Sequence, residues 1–388
     1  MFNTIELTEQ QQSAVENLEI ALELEGEAVL VGPAGSGKTT VLRELIDLFR
    51  GRPICLLAPT GKAARRMTEV IGYNANTIHS ALYGGCDEGE DKKGRTKLKF
   101  YDPQPPCRSN SLVVIDEASM VNRELYNTLK EQVQLVGGIL LWVGDKEQLP
   151  PVDGTWGPDF DHPTAELTEI HRQAENSAII KLATLIRYNQ GQEFKDWGDE
   201  VSYSNGPLDQ AAQWILQGGD RVCLTWTNKI RKIVNSTVRN MMGYTRPLED
   251  RETILVLKNN RKVDVVNGDV MRVRNVINYH ARRSPPLLKI TTTGGQVFYT
   301  LKDCIGADSA TFRQMVMRVS VKEVRDAVVH IDYGYCLTVH KSQGSQWRDV
   351  CFIECEALRY TQKDLDGKRR LLYTGITRAQ ERLLIHCL

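Results

Sequence analysis

The sequence predicts an α/β fold built on parallel sheets. Short apolar runs rich in β-branched residues recur along the 388-residue chain, and stretches of helical periodicity separate many of them. Alternation of strands and helices favours parallel pairing, because parallel neighbours need a crossover connection between them. The predicted strands are AVLVG (28–32), ICLLAP (54–59), LVVID (112–116), ILLWVGD (139–145), RVCLTW (221–226), DVCFIEC (349–355) and RLLIHCL (382–388).

Length and composition indicate a globular protein of about two to three domains, with 41% apolar and 25% charged residues. The 49 Lys and Arg balance 49 Asp and Glu, so any nucleic-acid footprint must be local. No run approaches the roughly 18 apolar residues of a membrane span, and a signal-peptide pattern is lacking. We therefore expect a cytoplasmic protein, in the host cytoplasm if the gene is viral, without a membrane partner. The nine cysteines, mostly in apolar runs, favour buried thiols over disulfides.

Two stretches interrupt the alternation of strands and helices. Residues 84–108 are polar and rich in Gly and Pro, which favours an excursion such as a hairpin. Residues 252–330 contain β-rich segments joined by turn signals at NGD, SPP and GG. We predict a small antiparallel barrel there, inserted in the second half of the chain.

The segment GPAGSGKT at 32–39 fits the P-loop pattern. Glycine-rich backbone turns N–H groups toward phosphate oxygens, Lys38 reaches the β- and γ-phosphates, and Thr39 binds Mg²⁺. A strand pattern before the segment and a helix pattern after it favour this interpretation over a structural Gly-rich turn. The predicted ATP-binding residues of the loop are Gly32, Pro33, Ala34, Gly35, Ser36, Gly37, Lys38, Thr39 and Thr40.

An acid pair ends the strand LVVID. A lone Asp-Glu pair after a strand is often only the start of a solvated loop, but the P-loop upstream favours catalysis. Asp116 is then predicted to hold Mg²⁺, and Glu117 to polarise a water molecule. Phosphoryl transfer to water also needs positive charge against the transition state, which arginines from elsewhere in the chain must supply.

The remaining motifs resemble those of one family, in order, over almost the whole chain. They are LTEQQQSA (7–14, Q motif), APTGKAA (58–64, Ia), TIHS (77–80, Ib), VGDKEQLPPV (143–152, III), LTEIHRQ (167–173, IV), TVHKSQGSQW (338–347, V) and LYTGITRA (372–379, VI). On these motifs the sequence is identified as a member of the superfamily 1B DNA helicases. It resembles the RecD-like branch, and within that branch the Dda group of T-even bacteriophages.

The resemblance implies two tandem RecA-like P-loop domains with one insertion in each. The first motor domain would span 1–165 and carry a β-hairpin, the pin, at about 84–108. The second would span 166–251 and 331–388. An SH3-like β-barrel at 252–330 would interrupt it.

The resemblance also implies roles around the nucleotide. Gln148 senses the γ-phosphate, and both Arg172 and Arg378 are arginine fingers. The complete implied catalytic set is Lys38, Glu117, Gln148, Arg172 and Arg378. Outside the P-loop, the implied ATP contacts are Gln11 at the adenine, Tyr373 stacked on the base or simply packed, Gly344, and Gln343, which couples ATP to DNA.

The single-stranded DNA contacts implied by the resemblance form a predicted DNA track of hydroxyls, an amide, rings and one ammonium. Its members are Pro59, Thr60, His79, Asn228, Thr338, His340 and Lys341. Two alternatives stay open, since His79 could be a core histidine and Thr60 could also cap a helix. Phe100 near the end of the pin would stack on bases, at about 1 to 3 kcal/mol per base, unless it covers the motor domain instead.

The implied function is an ATP-dependent DNA helicase that moves 5′ to 3′ on single-stranded DNA and separates duplex strands. Its partners would be single-stranded and forked duplex DNA, with single-strand binding protein or replisome components as further candidates, and a monomer would suffice. An alternative is a translocase that strips bound proteins or acts on RNA without efficient unwinding. A non-catalytic single-strand binding factor is disfavoured by the complete set of catalytic residues, and a general P-loop switch by HKSQG and TGITRA.

Overall fold

The computed structural model describes residues 7–84, 86–90, 96–151, 155–170, 177–188, 197–354 and 365–388. For residues 86–90, 96–100 and 365 it describes the backbone alone. Two parallel sheets and one antiparallel sheet organise these residues, and a separate pair of strands forms a fourth, two-stranded sheet. The predicted α/β class with parallel sheets is confirmed.

A six-stranded parallel sheet organises the first half. Its strands are β1 (Glu27–Val31), β2 (Ile54–Ala58), β3 (Ala75–Thr77), β6 (Leu112–Ile115), β7 (Ile139–Gly144) and β8 (Ala165–Glu166). They lie in the order β3-β2-β6-β7-β1-β8. Strands β6 and β7 are buried over their whole length, as expected where apolar layers cover both faces of a sheet. One layer contains Leu30 and Leu141, and the other contains Val31 and Trp142.

Most helices of the first half begin at residues whose side chains cap them. These helices are α1 (Glu9–Leu24), α2 (Lys38–Leu48), α3 (Gly61–Ile71), α4 (Ile78–Tyr83) and α5 (Arg123–Gln134). Thr60 Oγ1 accepts a hydrogen bond from the backbone N–H of Ala63 at 3.2 Å, which starts α3. Caps of this kind contribute about 1 kcal/mol.

A five-stranded parallel sheet organises the second half. Its strands are β9 (Val201–Asn205), β10 (Arg221–Thr225), β16 (Cys336–Thr338), β17 (Trp347–Glu354) and β18 (Ala379–Cys387). They lie in the order β16-β10-β17-β18-β9. The helices around them are α6 (Ala178–Arg187), α7 (Leu208–Leu216), α8 (Asn228–Met241), α11 (Val339–Ser342) and α12 (Leu365–Ile376). Within the described ranges, no helix combines the length and apolarity needed to span a bilayer.

An antiparallel sheet interrupts the second half and forms the insertion. Its strands are β11 (Thr253–Val256), β12 (Val270–Tyr279), β13 (Leu287–Thr292), β14 (Val297–Leu301) and β15 (Ile331–Tyr333), with helices α9 (Ser309–Val316) and α10 (Lys322–Asp326). Strand β15 pairs with β11, so the sequence-based boundary at 330 excludes a strand that belongs to this sheet. The boundary was misplaced because a strand of three residues leaves no clear pattern. An SH3-like barrel here stays a prediction.

The segment predicted to contain a pin holds two antiparallel strands. They are β4 (Cys86–Glu90) and β5 (Thr96–Phe100), and Cys86 lies opposite Phe100. The side chain of Phe100 is outside the described part of the chain. Its predicted stacking on bases, and the function of these strands as a pin, stay predictions.

Candidate functional site

The P-loop connects the end of β1 to the start of α2. Gly35 and Gly37 adopt the left-handed region, with φ of 82° and 83°, which side chains other than glycine rarely adopt. At Gly32 an added Cβ would come within 2.5 Å of Ser36 Oγ. These glycines let the backbone wrap tightly ahead of the helix, so that the first N–H groups of α2 face the space a phosphate would occupy.

Lys38 is the first residue of α2 and turns back into its own loop. Its Nζ donates to the carbonyl oxygens of Gly32 at 2.6 Å and Pro33 at 2.8 Å. Burial lowers the pKa of Lys38, while the nearby charges of Asp145 and Asp116 oppose that change. The ammonium group is therefore held over the loop by acceptors that phosphate oxygens could replace.

Asp116 and Glu117 follow β6 directly. Asp116 Oδ1 accepts a hydrogen bond from the Glu117 backbone N–H at 2.8 Å. Burial raises the pKa of Asp116 to about 6, and the neighbouring charge of Glu117 adds to the rise. Glu117 itself has a φ of 52°, a left-handed conformation that costs about 1 to 3 kcal/mol and clusters at functional sites. The pair thus combines a strained backbone with two adjacent carboxyl groups, as expected at a site that binds a cation.

A cleft of about 370 Å³ brings the two halves of the chain together at the P-loop. This nucleotide cleft gathers most of the residues predicted from the P-loop, the acid pair and motifs III, V and VI. Its lining includes Pro33, Ala34, Gly35, Ser36, Gly37, Lys38, Thr39, Arg66, Asp116, Glu117, Asp145, Gln148, Gly344, Gln346 and Arg378. The cleft therefore joins groups that lie more than 300 positions apart in the sequence.

Arg378 enters the nucleotide cleft from the second half. It is 3% exposed, and its Nε donates to the Thr374 carbonyl oxygen at 2.9 Å. Another guanidinium nitrogen, Nη1, donates to the Ser345 carbonyl oxygen at 3.3 Å. Burial lowers the pKa of Arg378, while the charge of Glu117 opposes that change. The arrangement fits the predicted arginine finger, whereas Arg172 lies outside the described residues and its role stays a prediction.

Motifs III and V each contribute a buried glutamine, and one of the two links the motifs. Gln148 is 7% exposed, and its Oε1 has no hydrogen-bond partner in the described part of the chain. Gln343 donates from Nε2 to the Leu149 carbonyl oxygen at 3.5 Å, and the Leu149 N–H donates to Thr374 Oγ1 at 3.0 Å. The motif III loop is thereby attached to the second half at two points.

Tyr373 meets the P-loop through its hydroxyl group rather than through an exposed ring face. The Ala34 N–H donates to this hydroxyl at 3.3 Å, and the hydroxyl donates to Asp145 Oδ2 at 2.5 Å. Asp145 Oδ1 also accepts from Arg187 at 2.9 Å. Tyr373 is only 1% exposed, so the packed alternative describes this structure better than stacking on a base. Sequence reasoning missed Asp145 and Arg187, although Asp145 lies inside the quoted motif III.

Gln11 lies at the start of α1, outside the lining of the nucleotide cleft. It is 2% exposed, and its side-chain oxygen accepts from the Thr8 N–H at 3.1 Å as part of a capping box. Its neighbour Gln10 instead accepts from the N–H groups of Thr168 and Glu169, both at 3.0 Å. The structure thus gives Gln11 a capping role, and adenine recognition by Gln11 stays a prediction.

The predicted DNA track divides between the two halves. In the first half, Thr60 caps α3 as the alternative interpretation proposed, and His79 is exposed, which excludes a core histidine. In the second half, Asn228 is exposed and its Oδ1 accepts from Arg231 Nε at 3.0 Å. Thr338 is only 7% exposed, so its burial does not favour the predicted side-chain contact with DNA.

His340 and Lys341 complete the second half of the track. The His340 ring centroid lies 5.6 Å from that of Trp226, an aromatic neighbour that sequence reasoning missed. Lys341 Nζ lies 3.5 Å from Asn267 Oδ1, in the VNGDV turn (266–270) of the insertion. Pro59 precedes the Thr60 cap and is partly exposed.

The insertion also contacts helix α3 of the first half. Arg65 pairs with Asp269 at 3.1 Å and with Asp264 at 2.9 Å. A Cβ added to Gly61 would lie 2.7 Å from Val266 Cβ, so the turn packs directly on the start of α3. The VNGDV turn therefore lies beside the first half of the track as well as the second.

Two protein-family models match this chain. The model of an AAA domain matches residues 6–202, about half of the chain, and the model of a UvrD-like helicase C-terminal domain matches residues 333–386. The ATP-dependent RecD2 DNA helicase of Deinococcus radiodurans is 29% identical over 381 residues, which cover 91% of this chain and 46% of the relative. The ATP-dependent DNA helicase Dda of Enterobacteria phage T4 is 31% identical over 195 residues, covering 47% and 43%. This chain thus spans about half the length of these relatives.

Among solved structures, a Pif1 helicase from Bacteroides in complex with ADP-AlF3 and ssDNA has a similar fold. The TM-score is 0.56 at 18% identity, over 98% of this chain and 92% of that chain. At this level of identity the likeness concerns the fold alone.

Proposed function

Because this chain belongs to the RecD-like branch of the superfamily 1B helicases, we propose that it is an ATP-dependent DNA helicase. In the proposed activity it moves 5′ to 3′ on single-stranded DNA and separates duplex strands. One observation carries the proposal: the nucleotide cleft is lined both by the P-loop of the first half and by Gly344 and Arg378 of the second half. A nucleotide bound there would touch both halves. The direction of movement is taken from the family resemblance.

The residues of the cleft fit ATP with Mg²⁺. The carbonyl oxygens that hold Lys38 Nζ can give way to phosphate oxygens. Gln148 Oε1, which has no partner among the described residues, is buried beside the same space. Thr39 and Asp116 would hold the Mg²⁺ ion, whose charge neutralises the phosphate oxygens. A cation there would also lower the raised pKa of Asp116, because an opposite charge favours the ionised carboxylate.

Hydrolysis in this proposal is attack of water on the γ-phosphorus, with ADP as the leaving group. Glu117 accepts a proton from the attacking water, and Gln148 orients that water. Lys38 and Arg378 stabilise the charge that develops on the phosphoryl oxygens. Each of these side chains lines the cleft, so none must cross the molecule to act.

Movement along DNA would follow from opening and closing of the cleft. ATP attracts Arg378 toward the P-loop, which draws the two halves together, and loss of the γ-phosphate releases it. Thr60 and His79 lie on the first half, while Asn228 and His340 lie on the second. Alternating grip by these two sets would convert each cycle of closure into a step, and one chain would suffice.

The decisive experiment compares ATP-dependent unwinding of one duplex that carries a 5′ or a 3′ single-stranded tail. ATP hydrolysis is followed in the same tubes, with a blunt duplex and the Lys38→Ala variant as controls. We expect unwinding from the 5′ tail only. Unwinding from the 3′ tail only would contradict the direction but not the ATPase site, and hydrolysis without unwinding from either tail would support the translocase alternative.

A further inference from the structure

Two neighbouring arginines of α3 have different surroundings. Arg65 is engaged by Asp264 and Asp269 of the insertion. Arg66 is exposed and lines the nucleotide cleft. With respect to the residues that the structure describes, the Arg66 guanidinium forms no hydrogen bond or ion pair. Arg65 therefore has a structural role in docking the insertion, whereas no contact within the described ranges accounts for Arg66.

The charges around Arg66 are those of the proposed ATP site. Burial raises the pKa of Asp116, and Arg66 is one of the cations that oppose this rise. Burial also lowers the pKa of Arg378, and the like charge of Arg66 lowers it further. Arg66 from the first half and Arg378 from the second thus repel each other across the cleft. An anion placed between them would convert this repulsion into attraction to both.

A nucleoside triphosphate is such an anion. Lys38 approaches the phosphates from the P-loop, and Arg378 approaches them from the second half. Neither places a positive charge on the side of the cleft formed by α3. We propose that Arg66 binds the terminal phosphate of the nucleotide from this side, as a further cation beside Lys38 and Arg378. The inference rests on the proposed function, because it names a further ligand of the same ATP.

Helix α3 gives this contact a mechanical consequence. The helix begins at its cap Thr60, on the predicted DNA track, and Arg66 lies six residues further, about 9 Å along the axis at 1.5 Å per residue. Its start also packs on motif V, since a Cβ added to Gly344 would lie 3.0 Å from Thr60 Oγ1. One short helix would therefore carry a phosphate contact and a DNA contact.

The test uses three variants of the full chain: Arg66→Ala, Arg66→Lys and the matched control Arg65→Ala. Affinities are measured for ADP and for ADP with aluminium fluoride, which occupies the position of the terminal phosphate, and DNA-stimulated hydrolysis is measured alongside. For Arg66→Ala we expect ADP affinity within about twofold of wild type and a kcat about 100-fold lower, as for loss of one transition-state donor. The factor by which aluminium fluoride raises the affinity for ADP should then be at least about tenfold smaller than in wild type. Arg66→Lys should restore part of the loss, and Arg65→Ala should behave as wild type in both nucleotide assays.

Each other result has a defined meaning. If wild type hydrolyses ATP and Arg66→Ala matches Arg65→Ala in kcat and in the effect of aluminium fluoride, the inference is overturned. Equal loss of ADP binding with and without aluminium fluoride, together with a lower unfolding temperature, would assign Arg66 a structural role and overturn it too. If wild type fails to hydrolyse ATP, the proposed function fails, whereas the aluminium fluoride comparison still decides whether Arg66 binds the terminal phosphate.

Discussion

The ammonium group of Lys38 is held in the P-loop by hydrogen bonds to the carbonyl oxygens of Gly32 and Pro33, where it can bind a phosphate. Replacing Lys38 with Ala should lower ATP hydrolysis at least about 100-fold, because a charge aimed at the transition state is lost. Affinity for single-stranded DNA should stay within about twofold, because Lys38 lies in the nucleotide cleft and not on the track. Steady-state hydrolysis and fluorescence anisotropy measure the two effects. A variant that fails to fold would show that the loop was misinterpreted.

Lys62 is a second lysine whose charge the fold disfavours. Its Nζ lies 4.7 Å from the Trp347 ring centroid, and burial lowers its pKa from 10.5 to about 8 although Asp269 and Asp220 oppose the change. Between pH values equal to these two pKa values, Lys62 is protonated in the unfolded chain but neutral in the folded chain. The free energy by which Lys62 destabilises the fold therefore decreases as pH rises through this range. Lys62→Met should therefore raise the unfolding temperature at pH 7, and its advantage should shrink by about pH 10. An advantage independent of pH would contradict this account.

The residue scale also shows which site groups a sequence can reveal. Lys38 and Thr39 were predictable because the P-loop is contiguous and its spacing follows from phosphate geometry. The bond between Asp145 and Arg187 was not, since it joins a motif to an unremarkable helix position. Tyr373 was predicted to stack on the base or simply to pack, and only three-dimensional packing reveals that its hydroxyl contacts Ala34 of the P-loop.

At the scale of elements, the start of α3 combines a cap with a predicted DNA contact. Thr60→Ala should destabilise the fold by about 1 kcal/mol through loss of the cap and should also weaken binding of single-stranded DNA. Asp308, which caps α9 through Ala310 and Thr311, provides the matched control. Asp308→Ala should lose similar stability without loss of DNA affinity. Thermal unfolding and anisotropy measure both properties, and equal DNA affinities for the two variants would remove Thr60 from the track.

The strands β4 and β5 allow a second test at this scale. Phe100→Ala should slow unwinding more than it slows hydrolysis stimulated by single-stranded DNA, because stacking at the junction would act on strand separation alone. Unwinding of a tailed duplex and hydrolysis on an unstructured strand are compared for the same preparation. Equal losses in the two assays would remove the pin assignment.

The elements themselves were predictable to the extent that their patterns were long. The apolar run of β7 and the apolar centre of β10 were recognised directly. The two residues of β8 and the three of β15 carry too little pattern, because their partners in the sheet define them rather than their own composition. This is why the end of the insertion was misplaced.

At the scale of the whole molecule, zero net charge limits how DNA can be held. Among the predicted track residues, Lys341 is the one formal cation. Since each phosphate neutralised by Lys or Arg on a single strand contributes about −0.7 to the slope of log K against log salt, this one cation predicts a slope of about −0.7. Lys341→Ala should make it shallower by about 0.7. A slope as steep as about −4 would reveal a basic surface outside the track.

Contacts between distant parts of the chain were the least predictable. Arg65 and Asp269 are 204 positions apart, and either residue alone would be an ordinary surface charge. Motif order made it possible to expect that the two halves meet at ATP. It could not reveal that the insertion docks on α3, because no local pattern encodes that pairing.

The order of strands in the second sheet has a consequence for how the protein is made. Strand β18, at Ala379–Cys387, lies inside the sheet between β17 and β9. The first sheet contains its last strand once residue 166 has been synthesised, so it can assemble on the ribosome while the rest of the chain is still emerging. The second sheet lacks an internal strand until residue 387 is available. Its half of the nucleotide cleft therefore forms only after nearly all of this sequence has been translated.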